Sequence, residues 1–95
     1  MNDIEAEFQS SGVRRGAELY LHPPDAIRLM DRHREQGVVV LGIDGFLAVE
    51  GGVQPQLDHI LDLSGFTGAT WDEASSFLNA QLSTPLMFVV VPDRD

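Results

Sequence analysis

The chain contains no cysteine and no lysine. The first absence removes disulfides, thiolate nucleophiles and cysteine-ligated zinc from the possible chemistry. The second leaves all fixed positive charge on six arginines. Arg14, Arg15, Arg28, Arg32 and Arg34 fall within the first 34 residues, and residues 35–93 hold neither Lys nor Arg. That stretch instead carries Glu35, Asp44, Glu50, Asp58, Asp62, Asp72, Glu73 and Asp93, within a chain whose net charge is -9. Phosphate backbones and anionic headgroups are bound through Lys and Arg, so direct nucleic-acid and membrane binding are not expected. A basic protein would be attracted and steered into contact. Long apolar runs are missing too: residues 38–41 and 86–91 fall far short of the ~20 residues a membrane helix needs. The acidic start, Met1-Asn2-Asp3-Ile4-Glu5, lacks the basic opening of a signal peptide, and a cytoplasmic location is expected.

What is present is globular composition, 43% hydrophobic against 22% charged in 95 residues, enough for one domain with a modest core. Residues 1–16 mix acids, serines and glycines with isolated Ile4, Phe8 and Val13 and read as a flexible N-terminal arm; residues 17–95 read as a single α/β domain. Residues 17–22 (AELYLH) alternate as a half-buried strand does. Pro23-Pro24-Asp25 suits the first turn of a helix, with Ala26, Ile27, Met30 and His33 on one face and Gly37 as its stop. Residues 38–43 are β-branched and apolar, as in a strand buried on both faces. Asp44-Gly45 is a two-residue hairpin signal, because both central residues of a type I′ turn need positive φ. Strands are expected at 46–50 and, after Gly51-Gly52, at 53–63, where Pro55 demands an edge. Thr70-Trp71-Asp72-Glu73 matches a capping box opening a second helix. Residues 86–91 form a last apolar strand.

The expected fold is therefore α/β (α+β), a two-layer sandwich in the order β-α-β-β-β-α-β, with two helices on a mixed sheet related to the ferredoxin-like plan. The first strand-helix-strand unit predicts a parallel pair. Two helices cover one face, so the other needs the N-terminal arm or a second subunit, and a homodimer is one expectation.

Catalytic signals are thin. His22 and Asp25 meet at a strand-helix junction where a base and its orienting carboxylate could sit, or where they only cap the turn. His33 continues an apolar stripe. His59 and its neighbours Asp58 and Asp62 point to different faces of a strand, which does not compose a metal cluster. No phosphate loop or nucleophile elbow is present. Neither a catalytic centre, a metal nor a cofactor is expected. The remaining candidate is a partner-binding surface of Asp58, Asp62, Phe66, Trp71, Asp72 and Glu73, aromatic anchors ringed by acids.

Residues 38–91 also carry V-L-G-I-D-G-F, then I-L-D-L-S, then a tryptophan-led helix with A-x-x-F-L and a closing apolar strand. In this the chain resembles the small acidic immunity proteins of bacterial toxin-immunity systems. The resemblance implies a non-enzymatic, acidic protein-binding module that inhibits a basic toxin, with no catalytic residues to transfer. The arginine-bearing first helix departs from it. The alternative is a small homo-oligomeric structural or regulatory domain; a small-ligand binder or enzyme comes after both.

Overall fold

A computed structural model describes residues 3–66 and 70–93. The chain runs α1 (Asp3–Ala6), a 3-10 turn (Gln9–Ser11), β1 (Val13–Arg15), β2 (Glu18–Tyr20), α2 (Pro23–Glu35), β3 (Val40–Val49), β4 (Gly52–Asp62), α3 (Trp71–Asn79) and β5 (Met87–Pro92). The class is α+β. β3 lies between β4 and β5, and the β1–β2 hairpin joins the far edge of β5 through an antiparallel bridge, Leu21 to Phe88.

Every strand pairing among the described residues is antiparallel, so the expected mixed sheet is corrected. β2 and β3 do run the same way, since each is antiparallel to β5. They are not neighbours, because β5 has entered between them. The final strand of the chain thus splits the first crossover, which the ferredoxin-like plan allows. Local sequence specifies a strand, whereas the neighbour it takes is decided by packing.

The second correction concerns Asp44-Gly45. β3 continues straight through both, from Val40 to Val49, and the hairpin forms at Gly51, whose φ is 86°. A D-G pair favours a turn only where the flanking residues have no better pairing. Here Asp44 faces Val89 and Ile60 across the sheet, and Gly45 faces Phe88. Strands expected at 38–43 and 46–50 are one strand. Pro55 lies on β4, the edge strand, as its missing N–H requires.

α2 and α3 pack on one side of the sheet. Ala26, Leu29, Met30 and His33 of α2 and Ala74 and Leu78 of α3 are buried, and with Leu21, Val40, Ile43, Leu63, Phe88 and Val90 they enclose the main core. Ile4 and Phe8 belong to the same cluster, so the N-terminal segment lies with the helices and leaves the opposite face alone. There Tyr20, Met87 and Val89 are buried by strand residues, with Phe46, Val53 and Val91 around them. The Tyr20 and Phe46 rings meet edge to face at 4.9 Å. This aromatic pair lies on the face for which the sequence leads one to expect cover from an arm or a second subunit.

The third correction is the capping box. Thr70 precedes α3 but makes no side-chain cap; it is buried, and its hydroxyl donates to the Val40 carbonyl. Trp71 Nε1–H donates to the Val38 carbonyl at 2.9 Å. Both side chains fasten the start of α3 to the entry of β3, because a buried hydroxyl or indole N–H needs an acceptor wherever one is in reach.

Candidate functional site

Most of the proposed contact residues gather at one end of the sheet. β4 ends there, with Asp62 opposite Gly42 and the Leu63 amide donating to Leu41 at 2.8 Å. Ser64 turns the chain: its amide and hydroxyl donate to Asp62 Oδ1 at 3.0 and 2.6 Å. The two bonds, the hydroxyl's first, hold the Asp62 carboxyl below its ordinary range. Phe66 follows with 55% of its surface exposed, and residues 67–69 lie outside the described residues. Trp71 is half-buried against the core and held by Val38, so it is a structural tie rather than a free anchor. Asp72 pairs with Arg34 at 3.6 Å, both side chains being mostly exposed, and Glu73 is exposed beside it. Asp58 stands apart from the other five, in an irregular part of β4.

That irregularity was not legible in the sequence. From Asp44 to Phe46 is two steps on β3, but their partners Ile60 and Pro55 are five steps apart on β4. Three extra residues therefore loop out of the edge strand, and residues 56–59 stand opposite Gly45 alone. Leu57, in this bulge, is 82% exposed. The bulge is pinned on both sides: Pro55 pairs with Phe46, and His59 Nδ1 lies 3.0 Å from Gln81 Oε1. Gln56 Nε2 donates to the Gln54 carbonyl at 3.2 Å. The only hint in the sequence was Pro55 within an otherwise strand-like run.

The sheet face away from the helices holds a cleft of about 310 Å³ lined by Gly42, Asp44, Ile60, Asp62, Ser64 and Val91, among others. Asp44 is half-buried in it. Burial first, then the carboxylates of Glu18 and Asp62, push the Asp44 carboxyl above its ordinary range. The charged form is thus disfavoured in the folded protein, and the penalty is fully present above the raised folded value and gone below the unfolded one. Asp44→Asn should therefore melt at a higher temperature than the parent at neutral pH. The difference should shrink as the pH falls through that window and vanish once Asp44 is protonated in both states. Thermal unfolding across the acid range checks it, and a variant less stable at neutral pH would show that Asp44 has a favourable contact.

Cations are distributed differently. Arg14 pairs with Glu5, Arg28 with Asp25, and Arg32 with Glu7 and Glu35 at 2.8 Å each. Adding Arg34 with Asp72, the arginines on and near the helices are taken up by internal carboxylates. Asp44, Glu50, Asp58, Asp62 and Glu73 form no ion pair among the described residues.

The histidines do not compose a catalytic group. His22 is exposed at the start of α2 without a side-chain cap, and Asp25, its expected partner, is engaged by Arg28 at 3.0 Å. His33 is buried among the core residues of α2, and His59 is occupied with Gln81. No group of three or more His, Asp or Glu able to hold a metal ion occurs among the described residues, and none of their helices is long and apolar enough to cross a membrane. Comparison with known proteins finds no matching family, and no curated protein or solved structure that matches the chain.

Proposed function

We propose that this protein is a non-enzymatic, acidic protein-binding module whose partner is a basic protein, in the manner of an immunity-type inhibitor of a basic toxin. The observation that carries this reading is the separation of charge. Arg28, Arg32 and Arg34 are tied to carboxylates on the helical side, so they do not oppose a cationic partner as strongly as their number in the sequence implies. Asp44, Asp58 and Asp62 lie on β3 and β4 and form no ion pair among the described residues. An excess of carboxylates on this face, Glu18 with Asp44 and Asp62 against Arg15 near Tyr20, steers an oppositely charged protein and repels another copy of the same chain.

A self-associating domain is the weaker reading for two reasons. A two-fold interface through this surface would bring Asp44 and Asp62 toward their own counterparts. In addition, Met87 and Val89 are already 94% buried within one chain, which removes much of the apolar gain. The test is the rate of association with the partner recovered from native extract, measured at two ionic strengths. Association is expected to slow by about tenfold or more from low to high salt while dissociation changes little. An association rate indifferent to salt, or an acidic partner, overturns the reading.

A further inference from the structure

Edge strands expose unpaired backbone groups, and proteins blunt them with proline, charge or bulges. Pro55 and the three extra residues of β4 do this here. Edge protection explains the bulge but not the residue placed on it, since a charged or polar side chain would serve that purpose better than leucine. Leu57 is the most exposed large hydrophobic of the described residues, at 82%, and the next residue is the exposed acid Asp58.

The base of the bulge is held from several directions. Pro55 sits opposite Phe46, whose ring is braced by Tyr20 at 4.9 Å. His59 is joined to Gln81 beyond α3, and Gly45 lets the His59 backbone come in close: a Cβ there would lie 2.7 Å from the His59 carbonyl oxygen. A loop held in this way loses little freedom when it binds, which favours a contact made by a projecting side chain. From this we infer that residues 56–59 are the contact loop for a basic protein, with Leu57 the apolar anchor that enters a pocket on the partner and Asp58 the carboxylate that meets a cation at the rim of that pocket. The inference rests on the binding-module reading above and names the part of the molecule that makes the contact.

The experiment uses the full chain, expressed in its native cells, with Leu57→p-benzoylphenylalanine as a photo-crosslinking probe and Leu82→p-benzoylphenylalanine as the control, Leu82 being 51% exposed. A saturable crosslink from Leu57 to a protein of net positive charge, absent from the Leu82 control, is expected. With that partner purified, Leu57→Ser should dissociate about tenfold faster with little change in association, as loss of a buried anchor does. Asp58→Asn should slow association at low salt, and Leu82→Ser should leave both rates within about twofold. Leu57→Ser should also melt with the parent, since Leu57 packs against almost nothing. A crosslink no stronger from Leu57 than from Leu82, or an unchanged dissociation rate in Leu57→Ser, overturns the contact loop. If the partner is nevertheless basic and its association salt-dependent, the broader reading stands without the loop; an acidic partner overturns both.

Discussion

Phe88→Ala is expected to lower the free energy of unfolding by about 3–5 kcal/mol, the range for removing a fully buried aromatic ring. Phe88 is 0% exposed on β5. Its ring meets that of Phe77 of α3 edge to face, with centroids 5.9 Å apart and planes at 89°, a geometry worth something beyond buried area. Its backbone exchanges hydrogen bonds with Leu21 at 2.9 and 2.6 Å, the one strand pairing among the described residues that ties the β1–β2 hairpin to the three-stranded sheet. The residue therefore sits where two sheets and the helical layer meet. A domain of this length has total stability of only about 5–14 kcal/mol, so a loss of that size takes away a large share. Each kcal/mol corresponds to about 4–8 °C in melting temperature for so small a domain, and a fall of at least about 12 °C follows. Phe88→Leu keeps most of the volume and should lose clearly less. Urea unfolding of both variants gives the comparison. A loss below about 1.5 kcal/mol for the alanine variant would mean that the neighbours close over the vacated site and that the junction does not depend on this ring.

The elements that were legible in the sequence are those with a strong local signature. α2 spans Pro23–Glu35, because two prolines and an aspartate fix its start and Gly37, at φ 69°, ends it. α3 begins at Trp71, where the pattern T-W-D-E placed it, although the threonine acts on Val40 and not on its own helix. The apolar strand at 86–91 appears as Met87–Pro92. In each case the information lies within a few residues of the element.

What was not legible depends on contacts distant in sequence. The insertion of β5 between β2 and β3 joins residues more than 60 positions apart, Leu21 and Phe88, and no local pattern marks it. Val13, read as part of an arm, pairs with Tyr20 because Gly16 adopts φ 60° and closes a short hairpin. The candidate surface fared similarly. In the candidate surface Asp62 ends β4 and Phe66 follows four residues later, but the Trp71 indole turns inward to the Val38 carbonyl. Leu57 was missed because, in a regular strand, it would alternate with its neighbours. Only the offset between the Asp44–Ile60 and Phe46–Pro55 pairs puts it outside.

Gly45 connects the expected turn to the proposed contact loop, and it gives the second large effect. A Cβ at this position would meet the His59 carbonyl oxygen at 2.7 Å, His59 Cβ at 2.9 Å and Phe88 Cε1 at 3.0 Å. The first is a backbone atom in the neighbouring strand, and the last belongs to a fully buried ring, so neither can swing out into solvent. Gly45→Ala should lose about 2–3 kcal/mol, the upper part of the range for overpacking, partly offset by about 0.4–1 kcal/mol from the stiffer unfolded chain. A second substitution separates this cause from a turn. Positive φ is a conformation that asparagine tolerates better than alanine, so in a turn Gly45→Asn would recover stability relative to Gly45→Ala. Gly45 does not have positive φ; its requirement is for space, and the bulkier asparagine should be at least as destabilising as alanine. Equilibrium unfolding of the two variants decides between these outcomes, with asparagine more stable than alanine as the result that would restore the turn. Because the displaced group is the backbone of His59, both variants should also loosen the base of residues 56–59. The same pair of substitutions then predicts faster dissociation of the proposed basic partner, even at temperatures where the variant remains folded.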